Sequence, residues 1–146
     1  MEKSFNEEAQ RQKDNAVNRA LAATFQQRAS ELQSTYNANQ EELERLKTAK
    51  SSLKTAISSY KDVKKSIKST LSDSIDDSNF KGSIRTKFDG HVTTILSDIA
   101  SDISTHKSNL ETLSNEIKSR QASQNSLSGL IGAFNKSASD CLARIY

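Results

Sequence analysis

Apolar residues along this chain recur in alternating steps of three and four. One series runs through Leu32, Tyr36, Asn39, Leu43, Leu46, Lys50, Leu53, Ile57, Tyr60, Lys64, Ile67 and Leu71, with nine of the twelve positions apolar. A second runs from Ile103 through His106, Leu110, Leu113, Ile117, Arg120, Gln124, Leu127, Ile131, Phe134, Ala138, Cys141 and Ile145, with ten of thirteen apolar. Steps averaging about 3.5 residues hold one stripe of a helix against a partner helix, so each series predicts a long helix with a coiled-coil-type seam. Phe88, Val92, Ile95 and Ile99 lead into the second series by steps that drift toward four, which predicts a stutter and a local unwinding. Val17, Leu21, Phe25 and Leu32 carry the first stripe back toward the N-terminus.

Between the seams, Asp76, Asp77, Ser78 and Asn79 precede Phe80, Lys81 and Gly82, the one cluster of turn-forming residues in the chain. A turn there folds the helices back on each other, and residue i then faces a residue near 160 minus i. The expected organisation is an all-α, antiparallel two-helix hairpin over residues 29–146, its first arm ending at about residue 76 and its second starting at about residue 83. Residues 1–28 form a helical extension that frays at its beginning. The mirror rule sets Phe25 against Phe134 and Leu21 against Ala138. It also brings the polar interruptions Arg120 and Gln124 opposite Asn39, Gln40 and Tyr36, where they can form one hydrogen-bonded layer and fix the register.

Composition agrees with long helices and a thin core. There is no proline, there are four glycines, and only 34% of residues are hydrophobic, against roughly 45–50% in an ordinary globular domain. That excludes a thick single core of the α/β or sandwich kind. The lone cysteine, Cys141, allows no internal disulfide and no cysteine zinc site, and on the seam it reads as a small buried hydrophobe. No apolar run approaches the ~20 residues of a membrane span. The acidic, polar stretch from Met1 to Gln12 lacks the basic-then-apolar plan of a secretory leader, so a cytoplasmic location is expected. His91 and His106 stand apart, and no metal-binding, nucleophile-elbow or phosphate-loop motif occurs. No enzyme activity, cofactor or metal is expected.

Charge adds one feature. Eight basic residues and a single acid, Asp62, lie between Arg45 and Lys68, and Lys47, Lys54, Lys61 and Lys68 repeat every seven residues along the seam's edge. A nucleic-acid binder uses such a stripe on phosphates, but here no arginine cluster or interleaved aromatics accompany it. Pairing with Asp98, Asp102, Glu111 and Glu116 of the second arm is the expectation. The apolar face is also wider than a two-helix seam requires. Ala49, Ala56 and Val63 border the first stripe, and Leu96, Leu130 and Leu142 border the second. These six are the candidate surface for a further helix, from a second copy or from another chain.

The turn carries a family pattern. Phe80-Lys81-Gly82, followed by Phe88-Asp89, resembles the W-x-G turn and following Phe-Asp of YwqH-like small proteins, which are related to the WxG helical-hairpin substrates of type VII secretion in Gram-positive bacteria. Glu44-Arg45-Leu46-Lys47-Thr48-Ala49-Lys50 resembles the family's Glu/Leu/Lys-rich helix at a similar distance before the turn. The likeness covers roughly residues 28–146. Phe80 stands in the place of the tryptophan, keeping the aromatic bulk without the indole N–H donor. The aromatic-xxx-acidic tail signal of the secreted relatives is missing, since Phe134 is followed four residues later by Ala138.

What the resemblance implies is a function without chemistry. Its members bind the N-terminal helical domain of LXG-type toxins, sometimes with a second small helical protein, and act as targeting partners for export. The expected function is that of a non-enzymatic adaptor or chaperone, exported with its toxin or left in the cytoplasm. The competing reading is a self-assembling coiled-coil scaffold, a homodimer with no role in secretion. Neither reading calls for nucleic acid or a membrane span.

Overall fold

A computed structural model describes residues 2–75 and 80–146, residues 2 and 3 by backbone alone. The chain is all-α, an antiparallel two-helix hairpin. Helix α1 spans Glu2–Ile67 and passes into a short π-helix over Lys68–Asp73, and helix α2 spans Ser83–Leu142. Continuous helices of this length follow from the missing proline, and α2 runs through Gly90, Gly129 and Gly132 without a break. Part of the expected turn cluster, residues 76–79, lies outside the described residues.

Chain contacts divide the molecule into two compact units. The turn unit comprises Arg45–Ile117, and the terminal unit comprises Met1–Glu44 together with Lys118–Tyr146. In the turn unit, Ile57, Ile99 and Ile103 form the centre of a core against which Leu53, Tyr60, Ile67 and Leu110 pack. In the terminal unit the buried positions, apart from Leu43, are smaller or polar: Asn15, Ala22, Ala29, Gln124, Ala138 and Cys141. Within each unit the arms pair in the mirrored register. Phe25 stacks on Phe134 at 6.1 Å between ring centres, and the Tyr60 hydroxyl donates to Asp102 at 3.2 Å.

Every member of the first predicted series is buried or half-buried, and so is every member of the second except His106. Three details differ from expectation. Val17 and Leu21 are exposed, and α1 instead turns Asn15, Ala22, Phe25 and Ala29 inward. Val17, Leu21 and Phe25 are four residues apart, a spacing that rotates off a 3-4 seam, whereas Asn15, Ala22 and Ala29 hold it. On α2 the inward residue is Leu96, with Ile95 44% exposed. The buried and half-buried positions Phe88, Val92, Leu96, Ile99 and Ile103 step by 4-4-3-4, so the doubled four-residue step lies between Phe88 and Leu96 and not, as expected, between Ile95 and Ile103. His106 turns its imidazole to solvent, since a polar ring loses more by desolvation than the seam gains from it.

Candidate partner-binding surface

The turn motif is a small aromatic assembly. Gly82 has φ of +77°, a left-handed conformation that favours glycine, and a Cβ placed there would meet nothing within 4 Å. Backbone conformation is therefore the reason for glycine, not close approach. The Gly82 carbonyl accepts the Thr86 N–H at 3.1 Å and so opens α2. Phe80 meets Phe88 edge-on at 5.6 Å, and the Arg85 guanidinium lies 5.9 Å from the Phe80 ring centre. Arg85 also donates through Nε to both Asp89 oxygens, at 2.9 and 2.8 Å, and through Nη1 to the Ile75 carbonyl at 3.4 Å. Phe80, Phe88 and Asp89 are thus joined through Arg85, a residue the motif reading passed over. Its i,i+4 spacing to Asp89 was the available signal.

Part of the expected polar layer forms around Gln124. Gln124, 5% exposed, donates from Nε2 to the Tyr36 carbonyl at 2.9 Å and to Gln40 Oε1 at 3.1 Å. Arg120 pairs with Glu42 at 2.6 Å. Tyr36 and Gln40 thus meet Gln124 as expected, whereas Asn39 is half-buried but makes none of these hydrogen bonds, and Glu42, with a longer side chain that crosses the seam from its edge, is the added member. The Gln124 Oε1 is buried with no hydrogen-bond partner among the described residues. A second polar pin joins Asn15 to Tyr146: the Asn15 Nδ2 donates to the Tyr146 carbonyl at 2.9 Å, and the Tyr146 N–H donates to Asn15 Oδ1 at 3.1 Å. Sequence reading missed Asn15, whose only signal was its place seven residues before Ala22 on the seam.

Of the six candidate face residues, Ala49, Ala56, Val63, Leu130 and Leu142 are exposed and Leu96 is half-buried, facing inward. In the turn unit, helical phase puts Ala49, Ala56 and Val63 on the Leu53 and Tyr60 edge of α1, and the lysines at 47, 54, 61 and 68 on the opposite edge. Ile95 and Asp102 of α2 take the same side as Val63 and Ala56, as the Tyr60 to Asp102 hydrogen bond requires. The expected pairing of the lysines with second-arm acids therefore fails for Lys54, Lys61 and Lys68, which form no ion pair among the described residues. Partial burial raises the Tyr60 pKa above the ordinary phenol value, helped by its hydrogen bond to Asp102 and by the charges of Asp102 and Asp98.

An apolar cleft of about 250 Å³ opens on this side, lined by Leu53, Ala56, Ile57, Tyr60 and His106. It arises where His106 leaves the seam and Ala56 is too small to cover the gap. Among the described residues no group of three or more histidine, cysteine or carboxylate side chains could hold a metal, and no helix is long and apolar enough to cross a membrane. No protein-family model, curated protein or solved structure matches the chain.

Proposed function

We propose that this protein is a non-enzymatic helical adaptor that binds the N-terminal helical domain of an LXG-type toxin and helps target it for type VII secretion. The observation that carries the reading is surface left uncovered. Val63, Ile95, Leu130 and Leu142 stand 44–50% exposed beside the seams, where another helix would cover them.

The resemblance at Phe80, Gly82, Phe88 and Asp89 supplies the partner's identity, and the assembly around Arg85 agrees with a turn that must keep its shape. An adaptor of this kind works by covering the toxin's own apolar helical faces before export and by presenting the turn to the secretion machinery. Co-expression with the helical N-terminal domain of an LXG toxin encoded in the same locus, followed by size-exclusion chromatography, tests it. Co-elution at micromolar concentration is expected. Separate elution, or a stable dimer of the isolated chain that excludes the toxin domain, would return the protein to a self-assembling scaffold.

A further inference from the structure

The side of the turn unit that carries the cleft differs from its opposite side in size, polarity and charge. Ala49, Ala56 and Val63 alternate with Ser52, Ser59 and Ser66 in 3-4 steps, and all six are exposed. Their small side chains allow a further helix to approach the α1 backbone closely. At the centre lies the 250 Å³ cleft floored by Leu53 and Ile57, with the exposed Val63 and Ile95 beyond it. A volume of this order takes one branched aliphatic side chain as a knob.

Charge chooses the occupant. Asp98 and Asp102 are exposed on the α2 rim of this surface, while Lys54, Lys61 and Lys68 lie on the far edge of α1. Asp102 is engaged only by the neutral Tyr60 hydroxyl among the described residues, and Asp98 forms no ion pair there. A second copy docked face to face would bring its own Asp98 and Asp102 to the same rim, adding like charges to a partly desolvated contact. A copy docked by its lysine edge would form a head-to-tail contact that does not close.

We infer that this surface is the docking groove for an amphipathic helix of a partner protein that inserts a leucine- or isoleucine-type side chain into the Leu53–Ala56–Ile57–Tyr60–His106 cleft and carries lysine or arginine within a turn of it. The inference rests on the adaptor reading and narrows it to one side of one unit and to a basic partner helix. Asp98 and Asp102 select the partner's charge, the small residues set how closely it lies, and the cleft sets its register.

The test uses the full chain and two synthetic amphipathic helices with one shared leucine stripe, flanked by lysine and arginine in one peptide and by glutamate in the other. Fluorescence anisotropy should show the basic peptide binding at least about tenfold more tightly. Ala56→Trp, at an exposed position, should fill the cleft and weaken that binding at least about tenfold with helical circular dichroism unchanged. Asp98→Lys should reverse the charge preference. Tighter binding of the glutamate peptide would move the docking surface to the lysine edge and overturn the inference. So would equal binding to wild type and Ala56→Trp, or wild-type self-association that Ala56→Trp abolishes. Capture of the toxin domain separates this from the broader reading: capture unchanged by Ala56→Trp removes the groove and leaves the adaptor, whereas no capture by wild type removes the adaptor, and the peptides still judge the groove.

Discussion

The turn unit and the terminal unit are built from the same two helices at the same seam spacing, yet they hold together differently. The turn unit buries Ile57, Val92, Ile99, Ile103 and Ile117, whereas the terminal unit buries one large aliphatic side chain, Leu43, and otherwise relies on Ala22, Ala29, Ala138 and Cys141 with the buried polar groups Asn15 and Gln124. Each isoleucine removes about three more carbons from water than an alanine does, roughly 2 kcal/mol per position at about 0.8 kcal/mol per methylene. The terminal unit offsets less burial with directional contacts: Asn15 with Tyr146, Gln124 with Tyr36 and Gln40, and Arg120 with Glu42. Heptad spacing alone therefore does not say how firmly two helices adhere. Volume at the seam gives adhesion, and polar pairs give register.

The sharpest break of this comparison is a cavity in each unit. Ile103→Ala should destabilise the turn unit by about 3 kcal/mol, since it strips the centre of the isoleucine cluster. Ala29→Gly at a buried seam position of the terminal unit should cost only about 1 kcal/mol, mostly helix propensity. Urea unfolding with hydrogen-exchange readout by segment measures both. Equal losses would mean that the two units share one cooperative core.

Gln124 tests the polar side. Its Oε1 is buried without a partner among the described residues, and such a group costs about 1–3 kcal/mol. Gln124→Leu should therefore raise the stability of the terminal unit by about 1 kcal/mol, after the loss of the two hydrogen bonds from Nε2 is set against it. The gain should come with a looser register, seen as faster amide exchange around Tyr36 and Gln40. A destabilisation of similar size would show that the hydrogen bonds outweigh the orphaned oxygen.

Glycines separate turn from helix. Gly82→Ala forces a side chain into positive φ and should cost about 1 kcal/mol. Gly132→Ala, inside α2 with open space around its Cβ position, should stabilise by a little under 1 kcal/mol. Paired thermal melts check the opposite signs.

The hairpin, its mirrored pairing and nearly the whole inward set were legible because seam spacing is a local, repetitive signal. What escaped shows where such a signal ends. Ile95 and Leu96 are adjacent and both apolar, so hydrophobicity could not choose between them, while the 3-4 phase of the seam could. Asn15 was invisible because a polar residue on a seam reads as an interruption until its partner, Tyr146, is brought beside it from the far end of the chain. The cleft was equally hidden: His106 counted as a seam member, and only its turn toward solvent leaves Leu53 and Ile57 uncovered. The lysine repeat was plain, but its separation from Asp98 and Asp102 depends on which edge of one helix adjoins which edge of the other.

The smallest expected effect concerns Tyr60, the phenol at the border of the turn unit's core and its candidate groove. Partial burial, the hydrogen bond to Asp102 and the nearby carboxylates of Asp102 and Asp98 all disfavour the phenolate, so the folded chain holds this proton more tightly than the unfolded chain does. With the folded pKa above the unfolded value, the stabilising contribution is fully present below the unfolded phenol pKa of about 10 and is lost as pH rises through the folded value. Tyr60→Phe removes that dependence while keeping the ring against Ile57. The melting temperature of the wild type should therefore fall further between about pH 8 and about pH 11 than that of Tyr60→Phe. Parallel curves would mean that the phenolate is accommodated in the folded turn unit, and that the edge of the cleft is wetter than its lining of Leu53 and Ile57 implies.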